Sequence, residues 1–383
     1  MEVRKLYYED PHQKIFTATV TSCREIKKGW LVTLDATAFY PEGGGQACDR
    51  GTLGDAQVLD VREEDGDIIH LCDKALRVGG QVTGAIDWAR RFDLMQQHTG
   101  EHIVSGIIHK LFGCHNVGFH MGADVITIDF DAYIPPEALP EIEKQANQAI
   151  YQNLSVRCWY PSEEELPAVN YRTKKQLPWP VRIVEVPGFD KCACCGVHTA
   201  FTGEIGVIKL LSCVKFHQGV RIEMVCGARA LALLSRVYEQ NRQVSQAFSA
   251  KLLETGAAAQ KMNDMLAAEK YRAAGLERQL FDFIAQGFIG CGDALYFADG
   301  LEPAAVRELA DRIAQSCGGT AAVFSGSDEA GYSVCLVNKT ADIKMLGQAM
   351  NVALNSRGGG KPGFFQGGVK ATKNQIEAFF KKV

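Results

Sequence analysis

Between Pro187 and Pro303 the chain has no proline, and the segment from Ala228 to about Ile284 within that interval is rich in Ala, Leu, Gln, Glu and Lys. Apolar or small residues fall at Leu234, Val237, Val244 and Phe248, then at Leu252, Ala259, Met262, Leu266, Ala273, Leu276 and Leu280. The spacing is three and four, with one extra step of four between Phe248 and Leu252, which reads as a stutter in a coiled-coil-like pattern. A single continuous helix here would run roughly 80 Å, farther than one domain can bury. Residues 228–285 therefore form one long helix or a helical hairpin that connects domains or pairs with a second copy, and a one-domain fold is excluded.

The segments on either side differ in pattern. From Phe16 to about Gly84, β-branched and aromatic runs (IFTATVTSC, WLVTLDATAFY, AQVLDVREE, DIIHLC) alternate with Gly- and Asp-rich turns, so residues 1–87 read as a small antiparallel barrel or sandwich. The run RFDLMQQHTGEHIVSGIIHKLFG then has the period of an amphipathic helix. Strand-like VITIDF, a Pro-started helix and the strands VRIVEVP, IGVIKLLSCVK and VRIEMVCG follow, making residues 88–227 an α+β unit. Residues 286–383 alternate strands and helices as a separate small α/β domain. The run SRGGGKPGFFQGGVK near its end reads as a loop, because glycine at this density suits neither a helix nor a central strand. The fold class is α+β and multidomain: a small β-barrel, a metal-bearing α+β domain, a long helical linker and a small α/β domain.

Charge and cysteine content narrow the setting. Across 383 residues, 41 Lys+Arg against 45 Asp+Glu give a net charge of -4, so no global positive field draws the chain to nucleic acid, and any RNA contact must be local. One such place exists: Arg357 to Val383 holds six basic residues and one acidic residue, Glu377. The 13 cysteines are odd in number and the opening MEVRKLYYED has no apolar signal core, which points to reduced thiols in a cytoplasm. No apolar run approaches the roughly 18–20 residues that cross a bilayer.

Two half-sites carry metal chemistry. His98 and His102 stand four apart on the expected helix, on one face. Cys194 and His198 follow at C-x3-H spacing, with Gly196 between them to let the backbone turn. A His, His, Cys, His set suits one Zn²⁺ per chain. Cys192 and Cys195 form a CxxC that reads alternatively as a redox pair, and either thiol could substitute as a ligand. Glu101 precedes the second histidine instead of following the first, so it is expected on another side of the helix, as a solvated or ligand-orienting carboxylate. Gly43, Gly44 and Gly45 make a loop whose amides can form a nest for an oxygen atom, or a simple hairpin turn.

Taken together, FYPEGGGQ at 39–46, HTGEHIVSG at 98–106, GFHMGADVITIDF at 118–130, CCGVH at 194–198, TGEIG at 202–206 and GVRIEMVCG at 219–227 resemble the editing domain of alanyl-tRNA synthetase and the AlaX proteins. RGGGKPGFFQGGV at 357–369 resembles the glycine-rich segment of the C-terminal domain shared by alanyl-tRNA synthetases and DHH phosphoesterases. The order of motifs spans almost the whole chain and is that of a long-form AlaX protein. Three departures stand out: Cys195 and Val197 replace Gly and Thr of the usual Cys-Gly-Gly-Thr-His, Ala36 replaces an Arg, and Glu101 lies inside the HxxxH.

The resemblance implies a trans-editing hydrolase that deacylates mischarged tRNA(Ala), Ser-tRNA(Ala) first and Gly-tRNA(Ala) second, with His98, His102, Cys194 and His198 as zinc ligands. It implies that Thr37 meets the serine hydroxyl, that Gln46 closes the glycine loop, and that His120 and Asp129 line the site. It further implies tRNA contacts and dimerisation through the C-terminal domain, for which Arg357, Gly358, Gly359, Gly360, Lys361, Gln366, Lys370 and Lys373 are the candidates. The alternative is a non-catalytic zinc-containing tRNA-binding protein. No DHH triplet or Asp-rich two-metal cluster supports a phosphoesterase.

Overall fold

A computed structural model describes residues 3–173 and 179–382. It divides into two compact units, residues 1–243 and 244–383.

The first unit begins with a short strand β1 (Arg4–Lys5) and one helical turn α1 (Leu6–Glu9), followed by β2 (Ile15–Ile26), β3 (Gly29–Leu34), β4 (Ala36–Thr37), β5 (Gly51–Leu53), β6 (Ala56–Glu64), β7 (Asp67–Cys72) and β8 (Gln81–Ile86). Strands β2-β3-β7-β6-β5-β8 close into a barrel, while β1 pairs in parallel with β4 at its margin. Alternation drives the closure: in β2 Phe16, Ala18 and Val20 point inward and Ile15, Thr17 and Thr19 do not, and Val32, Leu53, Val61 and Ile68 complete the interior.

Helix α2 (Trp88–Phe112) then runs through the middle of the unit. Asp87 caps it by accepting from Arg90 N, and Gly113 at φ 68° ends it in the left-handed conformation. Every residue from Leu94 to Ile108 is buried, so the helix has no solvent face along these turns. On its far side lie β9 (Asn116–Met121), β10 (Ile126–Phe130), α3 (Leu139–Tyr151), β11 (Arg157–Trp159), β12 (Ile183–Val186), β13 (Asp190–Ala193), β14 (Ile208–Phe216) and β15 (Gly219–Cys226). These form one sheet in the order β14-β15-β10-β9 and a smaller one, β11-β12-β13. Ile103, Val104, Ile107 and Ile108 of α2 pack with Ile128, Ile222 and Met224 of the sheet and Ile142, Ala146 and Ile150 of α3.

A buried ion pair ties the barrel to α2. Arg91 and Asp49 are both fully buried, with Arg91 Nε 2.9 Å from each carboxylate oxygen and Nη2 closing a further bond. Arg91 also donates to the carbonyls of Pro11 and Ala38, and Asp49 accepts from Tyr40 N, so nearly all the hydrogen-bonding capacity of the pair is used. The chain between Tyr40 and Asp49, which carries the glycine triplet, is thereby fixed against α2. The change of pattern at residue 87 is thus a change of secondary structure inside one compact unit.

Helix α4 (Gly227–Ala247) carries the chain across the boundary between the units, and α5 (Thr255–Gln286) lies in the second. The helical segment read as one long helix or a hairpin is therefore interrupted, with Ser249 at φ 50° in the break, at the place where the apolar spacing stutters. The apolar positions of α5 that define the pattern, Met262, Leu266, Leu276 and Leu280, are exposed.

The rest of the second unit is β16 (Gly292–Ala298), α6 (Pro303–Ser316), β17 (Gly318–Ser327), β18 (Gly331–Asn338), α7 (Lys344–Ala353), β19 (Ser356–Lys361), β20 (Phe364–Val369) and α8 (Lys373–Phe380). Its sheet has the order β16-β17-β18-β20-β19, with β16 and β17 parallel and the other pairs antiparallel. The C-terminal end of α5 and helix α6 cover one face, and α7 and α8 cover the other. One expectation is corrected here: the segment from Ser356 to Val369 is a β-hairpin, not a loop, and β20 is an interior strand. Glycine is needed there for closeness. A Cβ on Gly358 would come 2.6 Å from the Phe365 ring and 2.5 Å from Gln366 O, so the side chain missing from one strand makes room for the aromatic of the next.

Candidate metal centre and the cavity beside it

His98, His102, Cys194 and His198 converge, with all four ligand atoms within 4.8 Å of one another. Helix α2 supplies the first two, and the turn after β13 supplies the others. Cys194 Sγ lies 3.4 Å from His98 Nε2 and 3.5 Å from His198 Nε2. The two half-sites read from spacing are one site.

The tautomers follow from the outer contacts. His98 Nδ1 lies 2.8 Å from Gln46 Oε1, which is an acceptor, so this ring nitrogen carries the proton. His102 Nδ1 donates to Asp190 Oδ2 at 2.9 Å. The Thr99 hydroxyl spends its own proton on Met95 O, so it accepts from His198 Nδ1 at 3.2 Å. In each ring it is Nε2 that faces the centre, the nitrogen a metal would take in place of a proton. Burial pushes the Cys194 thiol up, but His98 and His102 outweigh it and hold the thiol well below its ordinary range. Burial and the neighbouring His98 lower His198 to about 3, leaving it a neutral imidazole. A thiolate and neutral imidazoles are the ligand forms of these side chains, and the donor set fits a borderline-soft cation.

The supports come from the whole unit. Asp190 is held by Arg172 through Nε and Nη2 at 2.7 and 2.9 Å. Arg182 Nη1 donates to the carbonyls of Cys194 and Gly196, and Tyr8 OH donates to Cys195 O at 2.7 Å, which pins the ligand turn. A Cβ on Gly196 would stand 2.1 Å from His98 Cε1, so only glycine lets the turn pass over that ring. Cys192 and Cys195 are free thiols, as are the other eleven cysteines. Cys192 is grouped with His102 and Asp190 as a second conceivable ligand set, but Asp190 is already engaged by His102 and Arg172.

Beside the centre is a cavity of about 640 Å³, lined by Gly44, Gly45, His98, Glu101, His102, Asn116, Val117, Gly118, Phe119, Tyr160, Arg172, Arg182, Cys192 and Cys194 among others. Its volume falls within the range of small-molecule sites, about 300–1,000 Å³. Gly44 and Gly45, at φ +60° and +83°, form part of its wall. Gly43 stands differently: its amide donates to Gln46 O and its carbonyl accepts from Gln46 N, so the turn consumes that N–H. The three-amide nest is reduced to the two amides of Gly44 and Gly45.

Several expected site residues are elsewhere. Thr37 is fully buried and does not line the cavity. His70 Nδ1 donates to Val32 O, so its Nε2 accepts the Thr37 hydroxyl proton at 2.9 Å, and the same oxygen accepts from Phe39 N. The proton expected to meet a serine hydroxyl is committed inside the barrel. His120 is exposed, and Asp129 is paired with Arg221 on the neighbouring strand at 2.7 and 2.8 Å; neither lines the cavity, where β9 instead presents Asn116 to Phe119. Gln46 does more than close the glycine loop, because its Oε1 orients a ligand ring.

Glu101 is the principal correction. It is 4% exposed and faces the cavity, with Oε1 accepting from Ser105 Oγ at 2.6 Å and from Asn116 Nδ2, and with Oε2 3.9 Å from His102 Nε2. Positions 98, 101, 102 and 105 follow i, i+3, i+4 and i+7, which is one helical face. That spacing was the available signal.

Of the candidate tRNA contacts, Arg357, Gly358, Gly359, Gly360 and Lys361 lie on β19, and Gln366 on β20. Arg357 and Lys370 line a second cavity of about 490 Å³ on the hairpin. Gln366 donates to Pro303 O at 3.3 Å, and Lys373 Nζ sits 4.9 Å from the Phe297 ring centroid.

Three family models match the chain: class II (A) tRNA synthetases over residues 5–90, the threonyl and alanyl tRNA synthetase second additional domain over 181–223, and the DHHA1 domain over 292–383. The alanyl-tRNA editing protein Aarsd1 of Mus musculus is 29% identical over 395 residues, which is 96% of this chain and 94% of that protein. The alanine--tRNA ligase of Ignicoccus hospitalis is 36% identical over 259 residues, 64% of this chain but only 28% of the ligase, so this chain corresponds to a minor part of that enzyme. Among solved structures, the C-Ala domain of Aquifex aeolicus alanyl-tRNA synthetase matches 24% of this chain and 89% of its own length, with 21% identity and a TM-score of 0.22. The three domain types in this order, together with similarity over nearly the full length of an editing protein, support an AlaX-type protein.

Proposed function

We propose that this protein hydrolyses the ester of mischarged tRNA(Ala), removing serine and, as a second substrate, glycine. The observation that carries the reading is the convergence of three oriented imidazoles and a thiolate on the wall of a cavity sized for the aminoacylated end of a nucleic acid. The names of the similar proteins and the domain matches agree with it.

His98, His102, Cys194 and His198 would hold Zn²⁺. A bound ion supplies Lewis acidity and a fixed positive charge beside the ester. The chain's own groups do the rest. The amides of Gly44 and Gly45 face the carbonyl oxygen where negative charge develops. Phe119, Val117 and Tyr160 give the cavity an apolar wall, and Arg182 keeps the Cys194 turn rigid. An aminoacyl ester is already activated, so positioning accounts for much of the rate.

The second unit would bind tRNA through Arg357, Lys361, Lys370 and Lys373, and the exposed apolar positions of α5 would pair two copies into a homodimer. A reducing cytoplasm suits thirteen free cysteines. One observation favours a second reading: four protein ligands are the pattern of a closed, structural zinc site, as in a non-catalytic zinc-containing tRNA-binding protein.

The deciding experiment is deacylation of Ser-, Gly- and Ala-tRNA(Ala) by purified protein, with bound metal measured on the same sample and the dimer checked by light scattering. Hydrolysis of the first two with Ala-tRNA(Ala) spared supports editing. Tight tRNA binding without hydrolysis of any of them establishes the second reading.

A further inference from the structure

We infer that Glu101 and Asn116 form the receptor for the α-ammonium group of the esterified amino acid. This deepens the editing reading and rests on it.

The argument is an accounting of donors and acceptors in the cavity wall. Glu101 is nearly buried, and its Oε1 is fully used, accepting from Ser105 Oγ and Asn116 Nδ2. Its Oε2 accepts no hydrogen bond among the described residues. The nitrogen 3.9 Å away, His102 Nε2, is too far to make a hydrogen bond. Among the described residues the cations lining this wall are Arg172, whose Nε and Nη2 are spent on Asp190, and Arg182, whose Nη1 is spent on the carbonyls of Cys194 and Gly196. A second acceptor stands alongside. Asn116 is 4% exposed, and its amide must point Nδ2 toward the Glu101 carboxylate and Ser105 Oγ, since the opposite orientation would set oxygen against oxygen. This leaves Asn116 Oδ1 buried with no partner.

A buried acceptor without a donor costs about 1–3 kcal/mol, and more for a charged group. Asn116 Oδ1 is such an acceptor, and Glu101 Oε2 beside it accepts no hydrogen bond, so the cavity wall calls for a ligand rich in N–H or O–H donors, and a carboxylate oxygen favours one that is positively charged. The aminoacyl end of a charged tRNA offers one such group, the α-ammonium, with three donors. The serine hydroxyl offers a single neutral donor, which cannot serve both Glu101 Oε2 and Asn116 Oδ1. Ser105 and Asn116 then act as positioning residues that hold the carboxylate in its rotamer, while Glu101 touches the substrate. The Glu101 side chain is on the cavity face of α2, one residue from a ligand, so an ammonium held there keeps the ester carbonyl close to the metal centre.

The test uses the full-length, metal-loaded protein and two non-hydrolysable probes, 3′-deoxyadenosine bearing serine through a 3′-amide and the same compound with hydrogen in place of the α-amine. Affinities are measured by calorimetry for wild type, Glu101→Gln and Asn116→Leu, and bound zinc and melting temperature are recorded for each. Glu101→Gln keeps an acceptor oxygen for Ser105 and removes the charge. The expected result is that wild type prefers the amine-bearing probe by about ten- to a hundredfold, the range of a charge-assisted hydrogen bond. Glu101→Gln should abolish most of that preference with zinc content unchanged, and Asn116→Leu should reduce it. Equal affinity of wild type for both probes would overturn the ammonium assignment and leave the editing reading standing. A preference that survives Glu101→Gln, or loss of zinc in that variant, would also overturn it, the latter by making Glu101 a ligand. If wild type binds neither probe, both the inference and the editing reading fall.

Discussion

Gln46 Oε1 accepts from His98 Nδ1 at 2.8 Å and also faces Val197 N at 3.3 Å, so one amide oxygen from the barrel's glycine loop touches both halves of the metal centre. The loop is thereby a structural part of the site, and its geometry is coupled to the orientation of the first ligand.

Replacing Gln46 by Ala should lower metal affinity by about 10- to 100-fold, the usual consequence of removing an outer contact to a ligating histidine. Competition against a chromophoric chelator measures this directly. Unchanged affinity would mean that the ring is held by Phe119 and the α2 backbone without help from the barrel.

The Arg91–Asp49 pair is a strong lever on stability. Arg91→Met leaves the Asp49 carboxylate buried and uncompensated, which should cost about 3–5 kcal/mol. Urea denaturation followed in the first unit would show it as a lower midpoint. The double variant Arg91→Met with Asp49→Leu should recover part of the loss, because the orphaned charge is gone.

Thr37→Val tests what the barrel threonine is for. The structure commits its proton to His70, so the variant should lose stability by about 1–3 kcal/mol through the unsatisfied His70 nitrogen. The ratio of serine to alanine hydrolysis should be unchanged. A collapse of that ratio with stability intact would restore Thr37 to substrate recognition.

His70 gives the barrel a pH dependence. Burial lowers this imidazole to about 4, below the roughly 6.5 of an unfolded histidine. Between these values the unfolded chain binds the extra proton, so stability rises with pH across that window. The contribution is complete above about 6.5, is lost as pH falls toward 4, and is on the order of 3 kcal/mol. Denaturation midpoints from pH 4 to 7 should show this slope in wild type and a flatter one in His70→Gln.

The basic hairpin of the second unit should reveal itself through salt. If Arg357 and Lys370 contact phosphates, replacing each by Ala should reduce the slope of log affinity for tRNA against log salt by about one. Filter binding between 50 and 300 mM salt would read it, and an unchanged slope would place the RNA surface elsewhere.

The four candidate ligands could be read from sequence because two short spacings, four apart on a helix and four apart around a glycine, are local geometric facts that do not depend on tertiary structure. The supporting residues were hidden because each comes from a distant element: Asp190 lies 88 positions from His102, Thr99 lies 99 from His198, and Gln46 lies 52 from His98. Glu101 shares the i, i+3, i+4 face of α2 with His98 and His102, a relation that helical periodicity contains and that the order of residues within the HxxxH hides. His120 and Asp129 fall in a motif whose neighbours Gly118 and Phe119 do line the cavity, and only strand register separates them. The glycine-rich hairpin has the composition of a loop because composition reports what a strand lacks, and the aromatic ring that fills the gap, Phe365, belongs to the partner strand.

Helix α2 has no free side between Leu94 and Ile108. A residue in this stretch cannot be altered for the benefit of the cavity without also being tested against the barrel or the sheet behind it. The freedom to acquire a new substrate is therefore unevenly distributed in this scaffold. It resides in Val117 and Phe119 of β9 and in Tyr160 after β11, which line the cavity and are at most half-buried, so a change of specificity can arise there while helix α2 stays the same.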